Sequence, residues 1–471
     1  MVFSSISFLI FFLPCLLITY FCVPKRLRRA RNIILLLFSI VFYAYGGVKY
    51  LLLLIVSVTI NYFCGLMAGN GRPNAIRRLG VVLALVMGLG LLAWFKYSGF
   101  FAEILVALGA GLPVPEVVLP VGISFYTFQG LSYVIDVYRG DAGVQKNPIN
   151  VALYVTMFPQ LVAGPIVRYT TVAEEIVQRN ESLDEFSAGA VRFMLGLAKK
   201  MILANAMGTV ADGVFGMEIW QLSTAAAWVG AVGYTLQIYF DFSAYSDMAI
   251  GLGRMFGFHF LENFNYPYIA ATVTEFWRRW HISLSTWFRD YLYIPLGGNR
   301  CSRAKNIRNL LIVWFLTGMW HGAAWTFIVW GLWFCLFLIG EKYIWGSFLE
   351  RCPKIVGHVY TMLIVILSWV FFRSGSMGYA LEYIGRMFSG GGKPDQAVFY
   401  ILEYWPEWVL GLIAVFPVKN AAQSFLEKRK DKPFFALVLD WGPKILALAL
   451  LAVSYLKLST GSFNPFIYYQ F

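Results

Sequence analysis

The stretch NLLIVWFLTGMWHGAAWTFIVWGLWFCLFLIG, residues 309–340, decides the fold class. It is apolar almost throughout, and His321 stands in its middle. One helix of that length would run about 48 Å at 1.5 Å per residue, well beyond a bilayer core of roughly 30 Å. The segment is therefore expected to break, and Gly318 and Gly322, which bracket His321, mark the place. An ionisable group at membrane depth is costly and is by default a functional candidate. A neutral imidazole, with a pKa near 6.5, can take and return a proton at cellular pH, which suits it to general base work. The plainer alternative is a histidine bonded to a helix carbonyl as packing.

The rest of the chain has the same character. Hydrophobic residues make up 59% and charged ones 13%, and mean hydropathy is +0.65, far from soluble averages. Apolar segments recur near 6–23, 33–47, 48–68, 79–95, 117–137, 151–167, 187–207, 222–240, 309–319, 322–340, 355–372, 397–417 and 434–457. The expectation is an all-α polytopic membrane protein with about ten to twelve spans, some broken or re-entrant.

Charge orients the chain. The first apolar run is followed by PKRLRRARN and lacks a small-residue cleavage site, so it is expected to be a retained span. The runs Lys25 to Arg31 and Arg72 to Arg78 alternate with a nearly uncharged connection at Gly46 to Lys49, which places the N-terminus outside. GNRCSRAKNIR (298–308) and LEKRKDK (426–432) are further inside candidates. The net charge of +13 calls for anionic lipid headgroups and not for nucleic acid. Six scattered cysteines without a CxxC pair suggest neither a disulfide frame nor a zinc site.

With no long soluble insertion and no visible repeat, the chain reads as one integral membrane domain over 1–471, with N-terminal spanning helices (1–115), a core (116–345) and C-terminal helices with an aromatic tail (346–471). The acidic stretch TTVAEEIVQRNESLDEFSAGAVRFM (170–194) is expected along the membrane surface. Between 119 and 300 the spans are interrupted by Pro and Gly, as in LPVGISFYTFQGLSYVIDVYRGD, MFPQLVAGPIVRY and QIYFDFSAYSDMAIGLGRMFGF. Non-helical backbone is tolerated at that depth only where protein or a wet cavity surrounds it, so this half is expected to build the site.

The second chemically dense stretch is TEFWRRWHISLSTWFRDYLYIPLGGNR, 274–300. Read as one helix from Thr274, it puts Trp277, His281, Leu284 and Phe288 on one side and Arg278, Ile282, Ser285 and Arg289 on another. Guanidinium groups suit phosphates, and the aromatic side can line a tunnel holding His281. Arg278, Arg279, Trp280 and Arg289 are thus the candidate substrate-binding residues. The alternative is an interfacial helix whose Trp and Arg anchor at headgroups. Asp241 and Asp247, acids among apolar residues, are expected to pair with arginines or cap broken helices, as are Asp136 and Glu275. No converging metal-ligand set is evident, so no metal is expected. GxSxG, the GxSG of intramembrane proteases and the HxxxxD of soluble glycerolipid acyltransferases are all missing. The tail SFNPFIYYQF ends the chain with two tyrosines, which read as an interface belt or, if a base activates one, as an acyl acceptor.

These residues resemble the membrane-bound O-acyltransferases, within them the bacterial alginate O-acetyltransferase-like branch. The likeness runs through LPVGISFYTFQGLSYVIDVYRG, FPQLVAGPIVRY, FDFSAYSDMAIGLGRMFGF, ENFNYPY, EFWRRWHISLSTWFRDYLYIPLGGNR and TGMWHGAAWTFIVWG, nearly the whole chain. The branch that moves D-alanine onto teichoic acid has similar histidine motifs without the YIPLGGNR continuation, and is the alternative. The resemblance implies a ring of spanning helices around shorter central ones, with a through-membrane funnel meeting at the histidine. It maps the catalytic histidine onto His321, a second site histidine onto His281 and an acyl-accepting tyrosine onto Tyr468, with Tyr469 where phenylalanine is expected. It further implies acetyl-CoA as donor with no permanently bound cofactor, an extracytoplasmic serine hydrolase-like (SGNH-type) O-acetyltransferase as partner, an exopolysaccharide or cell-wall glycan as acceptor, and the bacterial inner membrane as location. Arg278, Arg279, Arg300 and Arg303 would meet the coenzyme phosphates. A secondary transporter would instead show two halves with matching interruptions. A noncatalytic export scaffold would tolerate His321→Ala.

Overall fold

The computed structural model of the protein describes residues 1–460 and 466–467, and every regular element among them is helical. Two compact units are present, Met1–Phe193 with Tyr245–Leu261 and Met194–Ala244 with Glu262–Phe471. Helices α1 (Leu13–Cys22), α2 (Arg28–Ala44), α3 (Leu51–Ala68), α4 (Asn74–Ala107), α5 (Ile123–Arg139), α6 (Pro148–Thr156), α7 (Phe158–Leu161) and α8 (Tyr169–Val177) belong to the first unit. The boundary falls in the run from α9 (Leu183–Ala198) to the π-helical turn Lys199–Ala204 and again within α11 (Thr224–Met255). The second unit holds α10 (Asn205–Phe215), the short α12 (Val273–Arg279) and α13 (Ile282–Phe288), and the longer α14 (Arg303–His321) and α15 (Trp325–Gly340). It continues through α16 (Gly346–Arg351), α17 (Lys354–Arg373), α18 (Met377–Phe388), α19 (Asp395–Glu403), α20 (Trp405–Ala414), α21 (Val418–Glu427) and α22 (Pro433–Ser459).

Five helical stretches are long and apolar enough to cross a bilayer: Val48–Ala68, Asn74–Ala107, Trp325–Arg351, Lys354–Arg373 and Pro433–Ser459. The pair α19 and α20, bent by 74°, makes a sixth if it is one span. Each of these coincides with an expected apolar segment. Of the other segments, 222–240 lies in the 32-residue α11 and 309–319 in the 19-residue α14, while the rest form shorter or interrupted helices. The one expected at 151–167 splits at Met157, whose backbone leaves the helical region before Pro159. Proline cannot donate the amide that continuation requires, so the split is local chemistry.

The segment 170–194, expected along the membrane surface, carries a buried carboxylate. Between α8 and α9 the chain carries Glu181, whose side chain is only 2% exposed yet accepts from Tyr20 (2.6 Å) and pairs with Arg28, Arg31 (3.2 Å) and Arg179 (3.5 Å). Arg179 in turn donates to Asn32 Oδ1 (2.8 Å) and to the Phe256 carbonyl (2.9 Å). One carboxylate thus ties the N-terminal basic run to a loop some 150 residues later. In the same unit Asp247 pairs with Arg192 at 2.9 Å, the arginine partner expected from its apolar surroundings.

Burial pushes the Glu181 carboxyl upward, but the hydrogen bonds from Arg28 and Tyr20 and the charges of Arg28 and Arg179 outweigh it and hold its pKa at about 2. The folded value lies below that of the unfolded chain, so the stabilisation is complete above about pH 4.5 and is lost as pH falls toward 2. Glu181→Gln leaves buried guanidinium groups uncompensated and should cost about 3 kcal/mol at neutral pH. Unfolding of the detergent-solubilised protein should show the gap between variant and parent closing as pH drops through that window.

Candidate active site around two histidines

The 309–340 segment breaks where the bracketing glycines placed the break. α14 ends at His321, Gly322 is extended, and α15 begins at Trp325. The two helices return antiparallel in close contact: a Cβ at Gly318 would sit 2.4 Å from the Phe327 carbonyl oxygen, and one at Gly331 would sit 2.4 Å from that of Trp314. Backbone therefore packs on backbone, an approach that only small residues permit in membrane helices. The consequence is a fixed position for the last side chain of α14. His321 is 4% exposed, with its ring edge-on to Trp330 (4.8 Å), Trp320 (5.0 Å) and Phe372 (5.3 Å). α17 supplies that phenylalanine, so three helices wall the imidazole.

His281 arrives by a different route, and here the expectation of one helix from Thr274 is corrected. α12 stops at Arg279, His281 adopts a left-handed backbone (φ 44°, ψ 53°), and α13 starts at Ile282. A side chain with a Cβ pays for that conformation, and such residues persist only when their surroundings over-determine them. The cause is Asn263. Its carbonyl takes the Ile282 amide (2.9 Å), and its side-chain oxygen takes the Ser283 amide (3.1 Å) and hydroxyl (2.9 Å). In a continuous helix those amides would have gone to residues four back. The two faces read from the sequence still differ in burial: Trp277, His281, Leu284 and Phe288 are inside, whereas Arg278 and Arg289 are exposed.

Asn263 also sets the imidazole's tautomer. His281 Nδ1 lies 3.2 Å from Asn263 Oδ1, an atom that already accepts an amide proton and is therefore the oxygen. Nδ1 thus carries the proton and Nε2 keeps a lone pair. The ring is fully buried, edge-on to Phe242 at 4.6 Å. It also lies 6.0 Å from the Trp320 indole, the same ring that packs on His321. A single indole therefore links the two histidines that lie forty residues apart in sequence.

α12 is held from outside by a residue the sequence reading missed. Glu341, just past α15, accepts the Val273 amide (2.6 Å), the Thr274 amide (2.8 Å) and the Thr274 hydroxyl (2.6 Å). A carboxylate on the first free amides of a helix is favoured by hydrogen bonding and by the helix dipole together. The local start signal was legible: Thr272 Oγ1 accepts the Glu275 amide (3.0 Å), while Glu275 reaches back to the Ala271 amide (3.0 Å), a capping arrangement with Thr-x-x-Glu spacing.

The expected substrate-binding residues are distributed differently. Trp280 is buried in an aromatic layer, 5.0 Å from both Trp369 and Phe264. Arg279 is tied to Glu275 (2.8 Å) and to the Asn265 carbonyl (3.1 Å). Arg289 pairs with its neighbour Asp290 (2.6 Å) on the surface, and Arg278 is exposed in the last turn of α12. Glu275 thus has the arginine partner expected of it. Asp241 pairs with Lys200 at 2.5 Å, a lysine where an arginine was expected. Tyr468 and Tyr469 lie outside the described residues. Among the described residues no group of three His, Cys, Asp or Glu side chains could hold a metal ion.

Residues 142–377, which contain both histidines, Asn263, Trp320 and Glu341, match the model of the membrane-bound O-acyltransferase family. The chain belongs to that family. It is 39% identical to the probable alginate O-acetylase AlgI of Azotobacter vinelandii over 100% of both chains. It is 32% identical to the peptidoglycan O-acetyltransferase of Helicobacter pylori over 100% of this chain and 98% of that one. A teichoic acid D-alanyltransferase of Bacillus subtilis is 28% identical over 53% of this chain and 66% of its own.

Asn263→Ala would strand the buried His281 N–H together with the amide and hydroxyl of Ser283. At about 1–3 kcal/mol for each buried donor left without an acceptor, the variant should lose stability in thermal unfolding. It should lose turnover by more than tenfold, because the His281 tautomer is no longer specified.

Proposed function

We propose that this O-acyltransferase takes an acetyl group from cytoplasmic acetyl-CoA, passes it across the bacterial inner membrane, and hands it to an extracytoplasmic SGNH-type enzyme that esterifies an exopolysaccharide or a cell-wall glycan. The observation that carries this reading is the pair His281 and His321 packed on one buried indole inside the family-matched region. Full-length similarity to O-acetylases, against partial similarity to a D-alanyltransferase, favours acetyl as the group moved. We further infer ten to twelve spans ringed about broken central helices, with a funnel from each face and the N-terminus outside. The catalytic core in this reading lies within residues 116–345 of a single integral membrane domain.

In this mechanism His321 removes the proton from the acceptor hydroxyl, that of Tyr468. The resulting oxygen attacks the thioester carbonyl, a C–O bond forms, the C–S bond breaks, and the thiolate leaves with the proton returned by the imidazolium. Products are an acetyl-tyrosine ester and free coenzyme A, so atoms and charge balance. His281, with Nδ1–H committed to Asn263, turns Nε2 toward positioning the donor. A positioned general base contributes about 10²–10⁴-fold to rate. Of the basic residues near the inner face, Arg278, Arg300 and Arg303 are exposed and suited to the coenzyme phosphates.

Reconstituted protein supplied with labelled acetyl-CoA should release free coenzyme, and His321→Ala should reduce that release by at least a hundredfold without altering expression or fold. Turnover at the parental rate in the alanine variant would refute the assignment. Intact-mass analysis should find an acetylated C-terminal peptide that vanishes in Tyr468→Phe; a persisting mass shift would place the acceptor elsewhere.

A further inference from the structure

Lys200 and Asp241 form an ion pair with side chains 4% and 2% exposed, at 2.5 Å. Mutual attraction alone seldom repays the desolvation of two buried charges; additional contacts to the charged atoms must offset it. Those contacts come from the far end of the chain. Asp241 Oδ2 accepts the backbone amide of Ile467 at 2.7 Å, 226 residues away, and the Lys200 ammonium lies over the Phe466 ring at 4.7 Å. Phe466 and Ile467 are themselves 2% and 5% exposed, so this piece of the tail is inserted into the second unit and not laid against its surface.

We propose that the Lys200–Asp241 pair is a receptor for the C-terminal segment, recognising an aromatic ring at 466 by cation–π contact and the chain itself through the 467 amide. The two contacts differ in what they read. The carboxylate takes a main-chain donor and is blind to the side chain at 467, whereas the ammonium selects an aromatic face at 466. The anchor's position is telling: Asp241 immediately precedes Phe242, whose ring packs edge-on against His281. Tyr468 follows Ile467 directly in sequence. Lys200 and Asp241 are therefore positioning residues that fix where the tail enters the site, an inference that rests on the acyl-acceptor reading of Tyr468 for its purpose but not for its existence.

Two variants test it on the purified full-length chain in micelles. Ile467→Pro removes the donated amide and leaves both charges of the ion pair in place. Lys200→Met with Asp241→Leu removes both charges together, so that neither is stranded. Carboxypeptidase trimming followed by intact mass should halt at the anchored residues in the parent and proceed through them at least tenfold faster in both variants, with little change in thermal unfolding. Transfer of label from acetyl-CoA to the C-terminal peptide should fall at least tenfold while the KM for acetyl-CoA is unchanged; Phe466→Tyr should retain both properties and Phe466→Leu should lose them. Trimming at the parental rate in both variants would overturn the anchor, whatever the acyl chemistry. Faster trimming with undiminished label transfer would overturn its positioning role. Faster trimming in a protein whose parent form releases no coenzyme would leave the anchor standing and reject the relay instead.

Discussion

One buried asparagine holds the turn on which the candidate site rests. Asn263 offers two oxygens to three donors of residues 282–283 and to the His281 ring, and so diverts the backbone out of the helical path at His281. In water such a turn would compete with solvent for the same amides. Here Asn263 and His281 are fully buried, so each backbone group must find a protein partner and a good acceptor decides the conformation. The left-handed strain at His281 is tolerated because releasing it would leave several buried donors without acceptors.

The other histidine is placed by the opposite device. At the end of α14 missing side chains set the position. Gly318 and Gly331 let the two arms of the hairpin touch backbone to backbone, which fixes how far α14 reaches before it must stop and therefore where His321 points. Trp320, Trp330 and Phe372 then close around the ring. A strained turn and a tight hairpin thus deliver two imidazoles to the same indole, each by a constraint that has no slack.

Buried charges play a third part as long-range ties. Glu181 gathers the first basic run in one unit; Glu341 caps α12 and Asp241 accepts the Ile467 amide in the other. Glu341 and Asp241 sit where a backbone amide needs an acceptor, and Glu181 sits where three guanidinium groups converge, each tying together segments far apart in sequence. None acts as an isolated charge.

Read by itself, the amino-acid order determined the helical membrane class, most of the long spans and the interruption beside His321, and it singled out two histidines that the fold packs on one indole. All of these follow from local properties: the length of apolar runs, the missing side chains of glycine, and the cost of an ionisable group in lipid. Only the tertiary structure decided that the 274–288 stretch is two helices and not one, that Trp280 lies in an aromatic layer and Arg279 pairs with Glu275, that Asp241 answers to a lysine, and that Glu341 caps the start of α12. Those facts turn on which distant acceptor wins a given amide. That competition is settled by three-dimensional proximity, which a linear pattern of polar and apolar residues does not encode.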